Sequence, residues 1–283
     1  MAIQRVGIVG AGTMGNGIAQ AFAASGIDVI LTDIADGALQ KALDTISGSY
    51  DRLIKKEKAT AAQKATTLAR ITTNTDMSAC GDCDIIIEAA TENEALKLKI
   101  FRQLDEIARP DAILASNTSS ISITKLAAVT KRPAQVIGMH FFNPVPMMGL
   151  VETIRGLQTS DVTQATTEEL ALQIGKTPVK IRNSPGFVVN RLLCPMINEA
   201  IFALGEGLAS AEEIDAAMKL GANHPLGPLA LGDLIGLDVE LAIMQVLYTG
   251  FNDPKYRPAP LLIEMVEAGY LGRKTGRGFF TYA

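Results

Sequence analysis

Cysteine and histidine are scarce in this chain, whose 283 residues include three cysteines and two histidines. Three cysteines cannot all pair within one chain, which suits a reducing compartment. Cys80 and Cys83 form a CxxC pair, but no second CxxC and no nearby histidine accompanies it. A zinc site would need those ligands, and a redox pair should begin a helix rather than precede a strand. We therefore expect no metal site.

Long apolar runs and an excess of positive charge are also missing. Gly, Asp or Glu interrupts every apolar stretch before the roughly 18 residues of a membrane helix. Residues 1–9 lack the basic segment and apolar core of a signal peptide. The 26 basic and 30 acidic residues give a net charge of −4, which argues against nucleic-acid binding by bulk charge. We predict a cytoplasmic protein without membrane or nucleic-acid partners.

The first part of the chain alternates strand and helix patterns. Apolar residues make up 48% of the chain, enough for a sizeable core. Helical composition marks residues 18–25 and 36–58, and Thr60 with Gln63 fits a capping box that starts another helix. Strand patterns occupy residues 5–9, 27–31, 84–88, 112–115, 135–139 and 150–154. This alternation predicts an α/β domain with a Rossmann-type, doubly wound sheet.

The pattern changes near residue 185. Beyond it apolar pairs recur at helical spacing, Ser210 with Glu213 fits a capping box, and residues 234–247 and 261–268 read as helices. The only strand-like segment is residues 278–282. We predict two domains, residues 1–185 with the sheet and an all-helical domain over residues 186–283.

A glycine-rich turn follows the first predicted strand directly. Gly10 permits the tight turn, Gly12 lets a pyrophosphate approach the backbone, and Gly15 lets the helix pack closely on the strand. The helix beginning around Thr13 and Met14 offers unpaired N–H groups to phosphates. The strand–turn–helix context favours a dinucleotide site over a plain tight turn.

An acidic residue ends the second predicted strand, at the sequence distance from the glycine turn that a dinucleotide-binding fold requires. Asp33 can bond the adenosine ribose hydroxyls, and its charge would repel the extra phosphate of NADP. No arginine follows to bind that phosphate. We therefore predict NAD as the cofactor; the alternative is that Asp33 caps the next helix.

One of the two histidines has a setting that indicates catalysis. His140 follows the strand predicted at residues 135–139, at the carboxyl end where open α/β sheets bind ligands. Glu152 lies on the next predicted strand and can reach His140 if the two strands pair. The alternative is a structural histidine near the core.

Five segments together resemble the L-3-hydroxyacyl-CoA dehydrogenase family, in order and from end to end. These segments are residues 10–15, 116–120, 139–144, 183–191 and 272–278. The resemblance implies reversible, NAD-dependent oxidation of a (3S)-3-hydroxyacyl-CoA, with 3-hydroxybutyryl-CoA as the expected substrate.

The resemblance also implies catalytic roles for particular residues. His140 would be the general base that takes the 3-hydroxyl proton, and Glu152 would hold its ring. Ser119 and Asn190 would bind the substrate oxygens, and Asn143 would support the loop after His140. The alternatives are a turn or helix cap for Ser119 and a polar helix-start residue for Asn190.

Further residues are assigned to the cofactor by the same resemblance. Glu92 and Lys97 would contact its ribose and phosphate side, with solvated charges at a helix start as the alternative. The expected cofactor contacts are Gly10, Gly12, Thr13, Met14, Gly15, Asp33, Glu92, Lys97, Asn117 and Asn143.

One predicted helix has a basic face that could bind coenzyme A. Arg52, Lys55 and Lys56 are spaced i, i+3, i+4 and share one side of a predicted helix. They could bind the phosphates of CoA, although a solvated basic face is the ordinary alternative.

Two other functions fit the same scaffold. One is a dehydrogenase of a free hydroxy acid or sugar acid, and the other is a dinucleotide sensor without chemistry. The apolar helical domain also predicts a homodimer built through it.

Overall fold

The computed structural model describes residues 3–282 and divides the chain after Ser184 into two compact units. The first unit is a sheet flanked by helices and the second is helical, which confirms the predicted fold class. None of the helices in residues 3–282 has both the length and the apolar character needed to cross a membrane.

The first unit is organised around a sheet in the order β3-β2-β1-β4-β5-β6-β7-β8. Only the β6–β7 pair is antiparallel. The sheet order changes direction between β1 and β4, which creates a crevice at their carboxyl ends. The strands are β1 (Arg5–Val9), β2 (Asp28–Thr32), β3 (Ile71–Asn74), β4 (Ile85–Glu88), β5 (Ile113–Ser116), β6 (Val136–Phe141), β7 (Leu150–Arg155) and β8 (Thr177–Arg182).

Helices cover the sheet, so the central strands are buried along their whole length. β4, β5 and β6 are buried at every residue, as the continuous apolar runs predict for parallel strands. The capping box of Thr60 and Gln63 is confirmed and starts α3. The helices are α1 (Thr13–Ala24), α2 (Asp36–Lys55), α3 (Ala61–Ala69), α4 (Glu94–Ile107), α5 (Ile123–Ala128) and α6 (Asp161–Gln173).

The sequence patterns missed both edge strands of this sheet. β3 and β8 each bury a single residue, Ile71 and Ile181, so neither carries a long apolar run. The strand predicted at residues 135–139 also continues further than its apolar run. It extends to Phe141, so His140 lies within β6 rather than after it.

The second unit packs five helices around its own apolar core. Ile197, Ile201 and Leu237 are among its fully buried side chains. Ser210 and Glu213 form the predicted capping box. The helices are α7 (Val189–Gly205), α8 (Ala211–Gly221), α9 (Pro228–Ile235), α10 (Leu237–Phe251) and α11 (Pro260–Glu267).

Two predictions for this unit are wrong. The helix expected over residues 234–247 is interrupted at Gly236, whose φ of 105° ends α9 before α10 begins. The strand expected at residues 278–282 is replaced by isolated bridges. The buried Asp233 carboxylate accepts hydrogen bonds from Phe279 N, Phe280 N and the Tyr282 hydroxyl, so a side chain anchors this segment instead of a strand partner.

Glu240 on α10 is fully buried beside the thiol of Cys194. Within the described residues neither of its carboxylate oxygens has a conventional hydrogen-bond partner. Burial raises the pKa of Glu240 to about 8, because a charged carboxylate is disfavoured away from water.

We predict that Glu240→Gln stabilises the protein at alkaline pH. The unfolded chain releases the Glu240 proton near pH 4.5 and the folded protein near pH 8. The free energy of unfolding therefore declines as pH rises through this window. Glutamine does not titrate, so the free energy of unfolding of Glu240→Gln at pH 8 should exceed that of wild type by an amount on the order of 2 to 4 kcal/mol. Urea unfolding at pH 5 and pH 8 measures it, with the exposed Glu264→Gln as control. Parallel pH profiles for wild type and Glu240→Gln would contradict the prediction.

Candidate active site

The turn between β1 and α1 has the geometry of a phosphate-binding loop. Gly10 has φ 106°, and a Cβ there would lie 2.6 Å from Ala90 Cα. A Cβ on Gly15 would lie 1.7 Å from Gly10 O. A Cβ on Gly12 would meet nothing within 4 Å among the described residues. Gly10 and Gly15 are therefore required by close backbone packing within the protein, whereas Gly12 borders open space at the start of a helix.

The amino terminus of α1 is the open end of this turn. Gly12 is the N-cap and provides no side-chain cap, so the first N–H groups of the helix lack that internal acceptor. Thr13 is exposed and Met14 is half-buried against the core. This end of the helix suits the pyrophosphate of a dinucleotide.

Asp33 follows β2 and lies against the glycine turn. One carboxylate oxygen accepts from Ala11 N at 2.8 Å and the other from Ala35 N at 3.1 Å. The alternative that Asp33 caps α2 is wrong, because the N-cap residue is Ala35 and no side chain caps that helix. The carboxylate therefore lies at the edge of the crevice, where a ribose is bound in this fold.

His140 and Glu152 face each other across the antiparallel pair β6–β7. They are direct partners in the strand register, and His140 Nδ1 lies 2.7 Å from a Glu152 carboxylate oxygen. The residues are 7% and 1% exposed. The Phe142 ring packs on the imidazole with its centroid 4.6 Å away. Because β6 is parallel to β5, His140 reaches the same sheet edge as the glycine turn.

Asn117 connects the ends of neighbouring strands. Its side-chain oxygen accepts from Phe141 N at 2.9 Å, and its own N–H donates to Glu88 O at 2.8 Å. Asn117 therefore fixes the carboxyl end of β6 immediately beside His140. Sequence reasoning assigned this residue to the cofactor and did not foresee this contact.

The structure brings Glu92 and Ser119 together. Glu92 accepts from Thr118 Oγ1 at 2.7 Å, from Ser119 N at 2.7 Å and from Ser119 Oγ at 3.1 Å. The helix-cap alternative for Ser119 is wrong, because Ser122 is the residue that caps α5. Glu92 is exposed as well as bonded, so its cofactor role stays a prediction. Glu92 orients the Ser119 hydroxyl.

Lys97 is 2% exposed and directed away from solvent. Its ammonium lies 2.6 and 2.8 Å from the two carboxylate oxygens of Glu88, which also accept from Ser116 Oγ and Ala90 N. The solvated alternative is therefore wrong for Lys97, and its expected cofactor contact is replaced by this buried pair. Sequence reasoning missed Glu88 and Ser116, since both close apolar strands and carry no separate signal.

A cavity of about 780 Å³ opens over the glycine turn. Gly12 and Thr13 form one side, and the exposed Asn143 lies on another with the residues that follow it. Arg52 and Lys56 line the wall formed by α2, but Lys55 does not.

Two further basic residues line this cavity and were missed by sequence reasoning. They are Lys41 and Lys58. Extending the spacing from Arg52 back through Ser49 and Thr45 would have found Lys41, because all lie on one stripe of α2.

Asn190 belongs to the second unit. It lies in the first turn of α7 and is half-buried. Its substrate role stays a prediction.

A dinucleotide turn and a carboxylate-held imidazole at one sheet edge define the class of nicotinamide-dependent dehydrogenases. Residues 5–184 match the model of the 3-hydroxyacyl-CoA dehydrogenase NAD binding domain, and residues 186–282 match the C-terminal domain of the same enzymes. The chain belongs to the 3-hydroxyacyl-CoA dehydrogenase family, and its cofactor is NAD.

Individual relatives resemble the chain over nearly its whole length. A 3-hydroxybutyryl-CoA dehydrogenase of Clostridioides difficile is 55% identical over 278 residues, which cover 98% of this chain and 99% of the relative. One of Bradyrhizobium diazoefficiens is 52% identical over 280 residues, covering 99% and 96%. The crystal structure of (S)-3-hydroxybutyryl-CoA dehydrogenase from Ralstonia eutropha superimposes with a TM-score of 0.97 at 66% identity, covering all of both chains.

We predict that alanine at two glycines of the turn separates cofactor binding from stability. Gly12→Ala should lower NADH affinity at least about 10-fold, because its methyl group occupies the pyrophosphate position. Its melting temperature should stay within about 2 °C of wild type. Gly15→Ala should lower the melting temperature by more than about 4 °C, because its methyl group collides with Gly10 O.

NADH fluorescence titration and thermal unfolding provide the two measurements. Unchanged NADH affinity in a folded Gly12→Ala protein would refute the assignment of this turn to the cofactor.

Proposed function

We propose that this protein catalyses the reversible, NAD-dependent oxidation of (3S)-3-hydroxybutyryl-CoA to acetoacetyl-CoA. The observation that carries the proposal is the 2.7 Å contact between His140 Nδ1 and Glu152, at the sheet edge that also carries the glycine turn. The names of the relatives from Clostridioides difficile and Bradyrhizobium diazoefficiens support this substrate.

His140 is the proton acceptor in this mechanism. Glu152 accepts a hydrogen bond from Nδ1–H, which fixes the tautomer in which Nε2 carries the lone pair. Nε2 takes the proton of the 3-hydroxyl group, and the negative charge of Glu152 stabilises the imidazolium that forms. Bound NAD would supply the acceptor for the hydride that leaves C3. In the reverse direction the imidazolium returns its proton to the 3-oxygen.

Ser119 and Asn190 bind the substrate oxygens in this proposal. A hydroxyl and an amide donate hydrogen bonds without titrating, so they can polarise a 3-keto oxygen across a wide pH range. Glu92 supports Ser119 by accepting from both its N–H and its hydroxyl. Asn143 supports the loop after His140.

The glycine turn and Asp33 bind the cofactor in this proposal. Gly10, Gly12 and Gly15 shape the turn, the N–H groups around Thr13 and Met14 bind the pyrophosphate, and Asp33 accepts from the adenosine ribose. Glu92 contacts the ribose and phosphate side of NAD and Asn117 adds a further cofactor contact, while Lys97 pairs with Glu88 instead.

We predict that His140→Gln abolishes turnover and leaves NADH binding largely intact. Glutamine cannot exchange a proton at neutral pH, so the rate should fall at least about 1000-fold. The assay follows absorbance at 340 nm with acetoacetyl-CoA and NADH, and fluorescence titration provides the binding control.

Three results of this assay would refute parts of the proposal. Turnover of His140→Gln within about 10-fold of wild type would refute the base assignment. Activity on free hydroxy acids or sugar acids but not on their CoA thioesters would favour the other dehydrogenase. NADH binding without turnover on any substrate would favour a sensor.

Basic side chains of the cavity bind the phosphates of CoA in this proposal. Lys56 and Arg52 lie on the cavity wall with Lys41 and Lys58, and this cluster attracts an anionic handle. Lys55 is the neighbouring lysine that does not line the cavity.

We predict that Lys56→Gln raises KM for acetoacetyl-CoA about 5-fold or more, since one phosphate contact is lost. The matched control Lys55→Gln, with the same change of charge one residue away, should leave KM within about 1.5-fold. Steady-state kinetics with each substrate varied separately makes the comparison. A rise in KM for NADH alone would instead assign this wall to the cofactor.

We also propose that the protein is a homodimer formed through its helical unit. Leu192, Leu208, Leu220 and Leu234 are exposed on this unit, and a two-fold interface would bury such side chains. Light scattering at micromolar concentration should give twice the chain mass of 30.0 kDa, and a monomer mass would reject the proposal.

A cytoplasmic location is proposed as well. Cys80, Cys83 and Cys194 are buried thiols without disulfides, which is compatible with a reducing compartment.

A further inference from the structure

Lys176 is a buried lysine in the first unit that the proposed chemistry does not use. It is 8% exposed, and its ammonium donates to the carbonyl oxygens of Val145 and Met148, each at 2.7 Å. Burial lowers the pKa of Lys176, because an ammonium is disfavoured away from water. Lysine side chains are almost never buried unless acceptors pair with the ammonium group.

The backbone around Lys176 is fixed on both sides. Gly175, with φ 71°, ends α6, and Lys176 N donates to Ala171 O while Gly175 N donates to Leu172 O. These two bonds form the Schellman motif that terminates many helices. On the other side Thr177 N donates to Gly149 O at 2.7 Å. These bonds fix the backbone of Lys176 and therefore the point from which its side chain extends.

The two acceptors of Lys176 lie in the loop of residues 142–149, which we call the His140 loop. It joins β6 to β7 and begins two residues after His140. Pro144, Val145, Pro146 and Met147 line the 780 Å³ cavity together with Asn143. Among the described residues, the loop forms no strand ladder beyond the bond from Thr177 N to Gly149 O, and the charge-assisted hydrogen bonds from Lys176 hold its middle instead.

The His140 loop also contacts α1, the helix that follows the glycine turn. Val145 is buried, and a Cβ added to Gly17 of α1 would lie 2.9 Å from Val145 Cβ. The side chain of Val145 therefore packs on α1 while its carbonyl is bound by Lys176. This double attachment determines how far the cavity wall stands from the glycine turn.

We propose that Lys176 is a positioning residue that holds the His140 loop in the shape that binds the acyl-CoA substrate. The inference rests on the proposed function. His140 and Glu152 themselves lie in paired strands, and Asn117 fixes the end of β6. The geometry of proton transfer thus does not depend on Lys176, so its loss acts on substrate binding more than on the chemical step.

The test compares Lys176→Met with Lys180→Met. Methionine keeps most of the apolar stem of Lys176 and removes the donors. We expect KM for acetoacetyl-CoA to rise at least about 10-fold, with kcat within about 3-fold and an unchanged pH profile of kcat. Lys180 lies four residues further on, in β8, exposed and paired with Glu168, and its replacement should leave all three quantities unchanged. Lys176→Arg, which can donate to both carbonyls, should recover part of the lost affinity.

Hydrogen exchange of the substrate-free protein gives a second readout that does not depend on turnover. In Lys176→Met the amides of residues 142–149 should exchange faster, while those of β6 and β7 keep their protection. Lack of activity in the wild-type protein would refute the proposed function. Hydrogen exchange would still show whether Lys176 holds the His140 loop in place.

Three results would overturn the inference. They are an unchanged KM, a fall in kcat without a rise in KM, and faster exchange throughout the first unit. If Lys176→Met does not fold, Lys176→Gln, which retains an N–H donor group, replaces it. Failure of both variants to fold would assign Lys176 to general stability and also overturn the inference.

Discussion

The pairing of β6 with β7 is the constraint on which the candidate active site depends. It reverses direction in a sheet that is otherwise parallel, and its register puts His140 directly opposite Glu152. Side chains alternate between the faces of a sheet, so a slip of one residue would turn Glu152 to the opposite face. The contact between imidazole and carboxylate is therefore a property of the sheet and not of a flexible loop.

Burial divides the lysines of the first unit into two groups. Lys97 and Lys176 lie in the interior, where one pairs with the Glu88 carboxylate and the other binds two main-chain carbonyls. Lys41 and Lys56 line an open cavity beside the glycine turn. The buried lysines are bound to acceptors inside the protein and the exposed lysines are available to an anionic ligand, although the side chains are chemically the same.

Patterns of apolar residues predicted the centre of the sheet because strands buried on both faces are apolar along most of their length. The edge strands β3 and β8 escaped prediction because each buries one residue and otherwise has the composition of a loop. The glycine turn and His140 were found because their spacing is local. Lys176 could not be found in this way, since its acceptors are main-chain carbonyls 28 and 31 residues away and leave no trace in side-chain patterns.

The bond between Ser119 and Glu92 bears on how the site discriminates among thioesters. The Ser119 hydroxyl donates to Glu92, so the protein itself supplies it with an acceptor. A substrate oxygen exchanges one acceptor for another, and an acyl chain without a C3 oxygen leaves no orphaned donor behind. Sites that reject such analogues strongly do so because a buried polar group loses its partner. Under the proposed function, saturated acyl thioesters would therefore compete well for this site and act as inhibitors rather than being excluded.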